Sequence, residues 1–82
     1  MRVAVDISLY PLADDFLPPI KDVVERLNER SAVEVETNRM STQIRGEYED
    51  VMAVLNEEIR TTFERHPKAV FAIRILNNPL GG

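Results

Sequence analysis

Residues 33–46, VEVETNRMSTQIRG, decide the fold of this 82-residue chain. Val33 and Val35 alternate with Glu34 and Glu36, the period-2 pattern of a strand with one wet face. Asn38-Arg39 reads as a two-residue turn because Asn tolerates positive φ, although the glycine that usually accompanies it is absent. Residues 40–45 read as the return strand and Gly46 as its break. The stretch is therefore a hairpin, and its second arm carries a run of small polar side chains, Ser41, Thr42 and Gln43.

On either side lies one helix and one further strand. Residues 2–10 alternate cleanly: Val3, Val5, Ile7 and Leu9 share one face, and Ala4, Asp6, Ser8 and Tyr10 the other. Pro11, lacking an amide hydrogen, is expected to end that strand. Asp14 or Asp15 suits a helix cap. Phe16, Ile20, Val23, Val24 and Leu27 then recur as one helical stripe, with Pro18 and Pro19 in the first turn, where they forfeit no intrahelical bond. That helix is expected over about residues 15–29, with Lys21, Asp22, Glu25, Arg26 and Glu29 forming a solvated face.

Beyond the hairpin, Glu47, Glu49 and Asp50 favour a helix start through the helix dipole. Tyr48, Val51, Met52, Leu55, Ile59, Thr62 and Phe63 form its apolar stripe, and His66-Pro67 ends it. His66 reads as a partner of the helix C-terminus, and the Asp14-Asp15 and Glu57-Glu58 pairs as cap and surface. Residues 68–76 form the last strand and 77–82 a loose tail. The predicted domain is one unit, 1–82, with its core over 2–76. Strand, helix, strand, strand, helix, strand is the α+β order of a ferredoxin-like βαββαβ sandwich: a four-stranded antiparallel sheet, order 4-1-3-2, with both helices on one face.

Composition narrows the function classes. Ten basic and fourteen acidic side chains leave a net charge of −4, and no Lys/Arg cluster offers itself to phosphates, so nucleic acid is not an expected partner. The chain has no cysteine and a single histidine, which removes thiolate and multi-histidine metal sites within one chain and suits a reducing, cytoplasmic setting. The alternating N-terminus is neither a signal peptide nor a membrane span. A domain this small also leaves much apolar surface uncovered, which favours association with its own copies.

Strands one and three are central neighbours in this topology. Ser8, Tyr10, Asn38, Ser41 and Gln43 can converge where the end of strand one meets the start of strand three, with Asp6 on the same open face and Arg74 in reach. Thr42 belongs to the alternate face if the register is regular. Hydroxyl, amide and phenol groups over a half-apolar floor suit a small polar heteroaromatic ligand. The competing reading packs that face on another copy, leaving an assembly module without a ligand. Glu34 and Glu36 read as edge charges that discourage aggregation. No phosphate loop, nucleophile elbow or metal-ligand spacing is present, so no catalytic residue and no cofactor is named. Acylphosphatases share the predicted architecture, but their first loop needs glycines and an arginine, and residues 11–15, PLADD, offer carboxylates instead.

At ISLYPL (residues 7–12) and MSTQIRGEYEDVMAVL (residues 40–55) the chain resembles the YkoF-like thiamine- and hydroxymethylpyrimidine-binding family. The resemblance covers about residues 3–76. It implies a domain that pairs with other copies, as a homodimer or homotetramer, and binds thiamine or its pyrimidine precursor without transforming it. Tyr10, Ser41, Thr42 and Gln43 match the family's conspicuous strand motifs. On that reading Ser8, Tyr10, Asn38, Ser41 and Gln43 orient the ring, and Asp6 or Glu36 favours the thiazolium charge.

Overall fold

A computed structural model describes residues 1–12 and 17–77 of the chain. Six elements follow in the expected order: β1 (Arg2–Pro11), α1 (Leu17–Asn28), β2 (Glu34–Thr37), β3 (Thr42–Glu47), α2 (Tyr48–Arg65) and β4 (Ala69–Asn77). The strands form one antiparallel sheet in the order β2-β3-β1-β4, the predicted 4-1-3-2 read from the other edge. Val3, Val5 and Ile7 of β1, with Ile44 of β3, meet Val23 and Leu27 of α1 and Val51, Val54 and Leu55 of α2 in a single core. The proposed caps Asp14 and Asp15, the first stripe residue Phe16 and the tail beyond Asn77 lie outside the described residues. No helix among the described residues is long and apolar enough to cross a membrane.

Three local readings need correction. The strand β1 runs through Pro11 instead of stopping before it. The Leu12 amide donates to the Lys68 carbonyl at 2.8 Å. Backbone groups of alternate strand residues share an edge, so the even-numbered residues of β1 turn theirs to β4 and the odd-numbered ones toward β3. The pairing of β1 with β3 ends at Ile7 and Thr42, so the hydrogen that Pro11 lacks falls on a side with no ladder to break.

Gly46 likewise lies inside β3 and does not end it. It is buried opposite Val3, where an added Cβ would stand 3.3 Å from Val33 Cγ1 and 3.6 Å from Val51 Cγ2. The glycine is thus the gap into which those two valines pack. The hairpin turn is also longer than two residues. Thr37 pairs with Thr42, and the 38–41 turn is closed by the Asn38 amide donating to the Ser41 carbonyl at 3.0 Å. Asn38 Oδ1 accepts from the amides of Met40 (2.8 Å) and Ser41 (3.1 Å), so the side chain stabilises the turn from within.

The charged residues between the helices are the largest departure. Glu58, expected on the surface, is completely buried. Its two oxygens accept from Arg26 Nε at 2.8 Å and Arg30 Nη2 at 2.7 Å. Arg26 also donates to buried Thr62 at 2.9 Å and pairs with Asp22, which Arg65 holds from the other side at 3.0 Å. Asp22 and Arg26 are therefore not a solvated face: they fasten α1 to α2. The signal was present in the spacing, since Glu58 stands four residues after Val54 and four before Thr62, on the stripe that faces inward.

Removing one member of such a group strands the charges of the others, which costs about 3–5 kcal/mol for fully buried pairs and somewhat less here because both arginines keep some solvent contact. Glu58→Ala is expected to lower the unfolding free energy by about 3 kcal/mol in urea titrations. A loss below about 1 kcal/mol would show that the helices hold together without the network.

Candidate ligand cleft

Unequal pairing of the central strand creates a concavity under the first helix. β1 pairs with β4 from Val3 to Pro11, but with β3 only as far as Ile7. The segment 8–10 therefore overhangs the hairpin, leaving a notch between its free edge and the 38–41 turn. Helix α1 closes the notch from the helix side. The result is a cleft of about 210 Å³, with Ile20, Val23 and Val24 of α1, Ile7 and Leu9 of β1, and Phe71 of β4 as apolar walls. Ser8, Tyr10, Thr37, Asn38, Ser41 and Thr42 complete its lining. By the alternation derived above, Leu9 turns its backbone N–H and C=O into the notch, where no β3 residue pairs with it.

Of the seven residues expected at the site, Ser8, Tyr10, Asn38, Ser41 and Thr42 line this cleft. Asp6 and Gln43 do not. They pair across β1 and β3 on the open sheet face, beside Arg45 and Arg74, in a wide shallow trough of about 520 Å³. Thr42 is on the alternate face, as its register requires, and is buried. Asn28 is a contributor that sequence reasoning missed. Its Nδ2 donates to the Val24 carbonyl at 2.8 Å and to Thr37 Oγ1 at 3.1 Å, and Thr37 Oγ1 lies 3.2 Å from Thr42 Oγ1. A carbonyl only accepts, so the amide nitrogen must lie on that side, and the chain of hydrogen bonds runs from α1 into the polar wall. No group of three or more His, Cys, Asp or Glu side chains that could hold a metal occurs among the described residues.

Residues 2–78 match the model of the YkoF-related family. The chain belongs to that family. No curated protein matches it in sequence. Among solved structures, a Streptococcus pneumoniae protein superposes with a TM-score of 0.88 at 17% identity, covering 98% of this chain and 90% of that one. A Thermotoga maritima protein ascribed to thiamine biosynthesis or salvage gives a TM-score of 0.73 at 22% identity, over 95% and 85% of the two chains. A Methanocaldococcus jannascii protein gives 0.79 at 20% identity, over 99% and 84%. At these identities the likeness is one of fold.

In this YkoF-related chain Ser41, which lines the cleft, is tied by its hydroxyl to Asp6 on the open face. Its Oδ1 accepts the Ser41 hydroxyl, and its Oδ2 accepts from Arg74 Nε at 3.1 Å and Nη2 at 2.5 Å. The Ser41 hydrogen bond, followed by that from Arg74, holds the Asp6 carboxyl below its ordinary range. Asp22 is also lowered: burial opposes its charge, but hydrogen bonds from Arg26 and Arg65 outweigh it.

A carboxyl whose pKa is depressed on folding contributes stability that is present above the unfolded value, about 3.9 for Asp, and is lost as pH falls through the folded value. Urea unfolding between pH 6 and pH 2.5 is expected to show stability dropping below about pH 4, with a flatter profile in Asp6→Asn. Identical slopes in both proteins would mean that Asp6 gains nothing from Ser41 and Arg74.

Proposed function

We propose that the chain binds thiamine or its hydroxymethylpyrimidine moiety, without transforming it, with the pyrimidine ring in the cleft beneath α1. The observation that carries this reading is the free edge of β1 at Leu9. A 4-aminopyrimidine presents a ring-nitrogen acceptor next to an amino donor, and an extended residue offers N–H and C=O along one edge in the complementary order. The two sides of the cleft divide the remaining work: apolar side chains of α1, Leu9 and Phe71 cover the ring faces, while Thr42 and the turn meet its polar substituents. The cleft is smaller than the roughly 300–1,000 Å³ of drug-sized sites, so it suits one substituted ring. The thiazolium of thiamine would lie outside it.

Membership of the YkoF-related family supports this reading, as does the fold shared with a protein ascribed to thiamine biosynthesis or salvage. No nucleophile or acid–base pair is assigned in it, and binding alone accounts for the residues present.

A second reading rests on β4. This nine-residue strand ends the sheet, and Val70 and Leu76 stand exposed on the open face. A long apolar edge of this kind invites pairing with another chain, so a homodimer or homotetramer assembled through β4 is the competing role. The two are compatible, since the cleft lies on the other side of the sheet.

A melting scan with hydroxymethylpyrimidine and with thiamine, each at about a millimolar, separates them. Binding at a hundredfold excess over Kd adds about 2.7 kcal/mol, a rise on the order of 10 °C for a domain of this size. Thr42→Val is expected to cut the affinity about tenfold by removing one hydrogen-bonding group, while Gln43→Ala leaves it unchanged. The reverse pattern would move the site to the open face. No shift with either ligand, together with a Val70→Lys variant that sediments as a smaller species, would give the chain to assembly.

A further inference from the structure

The cleft beneath α1 runs against the charge of the chain. Fourteen acidic and ten basic side chains leave a net charge of −4. Among the described residues, however, no carboxylate lines the cleft, and one charged residue, Arg39, does. The two carboxylates expected to attract a ligand cation stand elsewhere. Asp6 is on the open face, engaged by Ser41 and Arg74, and Glu36 is opposite Gln43 in the β2–β3 ladder.

The turn sets the place of Arg39. Asn38 Oδ1 accepts the amides of Met40 and Ser41, and the Asn38 amide donates to the Ser41 carbonyl, so the backbone is tied on both sides of Arg39. Every other arginine of the chain is paired with a carboxylate, whereas Arg39 is exposed and has no such partner among the described residues. An arginine is always charged, and its planar fork suits the oxygens of a phosphate. A cation left unneutralised beside a cleft with apolar walls directs its field into that cleft whichever way its side chain turns.

We propose that Arg39 is a specificity-determining residue of the cleft, and that the class it selects is a pyrimidine with an anionic substituent: the phosphate monoester of the hydroxymethyl compound. This inference rests on the proposed function and narrows it. The free edge at Leu9 and the charge of Arg39 act on different parts of the ligand. The edge reads the ring nitrogen and the amino group, which the alcohol and its monoester share. Arg39 reads the substituent, in which they differ, since the monoester carries roughly −1.5 to −2 charges at neutral pH. The same cation opposes thiamine, whose thiazolium extends beyond the cleft with a charge of like sign.

Calorimetric titration of the full chain with 4-amino-5-hydroxymethyl-2-methylpyrimidine and with its phosphate monoester measures this. In dilute buffer the native chain is expected to bind the monoester about fivefold more tightly, the upper range for one exposed ion pair, and the advantage should shrink as salt is added. In Arg39→Gln the ratio should fall to about one, and Arg39→Lys, which restores the charge, should recover most of it. Arg45→Gln, on the open face, should keep the native ratio. Melting curves establish that each variant is folded. A folded Arg39→Gln protein with the native ratio overturns the role of Arg39 while leaving the cleft as the binding site. Equal binding of the two probes by the native chain overturns it too. A ratio lost in Arg45→Gln and kept in Arg39→Gln moves the phosphate to the open face and overturns it as well. If neither probe binds the native chain, the reading of the cleft fails, and this inference fails with it.

Discussion

Everything distinctive here depends on β1 being paired unequally on its two sides. With β4 it forms a ladder of nine residue pairs, with β3 one of six that stops at Ile7. A central strand normally has both edges satisfied, and a free stretch of backbone inside a sheet is unfavourable unless water or a ligand meets it. Here the free stretch lies between the hairpin turn and α1, partly sheltered and partly wet. That single mismatch of strand lengths produces the notch, tolerates Pro11 within a strand, and aims one residue's backbone at whatever enters.

Around the notch, the architecture divides into a dry side and a charged side. The helix side of β1 is continuous valine and isoleucine, so the position of α1 over it is fixed by shape. The open side alternates charge: Asp6 with Arg74, and Arg45 between Glu34 and Glu36 at 3.7 and 3.9 Å. The latter pairs are exposed and contribute little to stability. Asp6 differs because it ties the turn to the outermost strand, so a change on the open face can reach the cleft through two hydrogen bonds.

The element order, the sheet order and the inward face of β1 were legible because alternation and stripe periodicity report on many side chains at once. Punctuation by single residues was less trustworthy. Pro11 and Gly46 were read as strand ends, yet a proline is harmless on an unpaired edge and a glycine can be the hollow that neighbouring valines fill. Which edge is unpaired depends on register, which no local pattern contains. The site was half legible for the same reason. The hydroxyl-rich start of β3 was visible, but Thr37 in the cleft lining is held by Asn28, nine residues away and on a helix, and the free edge lies at the backbone of Leu9, which carries no side-chain signal at all. Glu58 was misread by weighing its charge above its place on the buried stripe.

The contact between Glu58, Arg26 and Arg30 also bears on how such a sequence can drift. Only Glu58 depends wholly on the other two, since Arg26 keeps Asp22 and Thr62, and Arg30 keeps Glu57, when the carboxylate is removed. Loss of both arginines leaves a completely buried carboxylate without a partner, whereas loss of the carboxylate leaves each arginine with one. The order of replacement is therefore constrained, and chains descended from this one are expected to lose Glu58 before they lose both arginines.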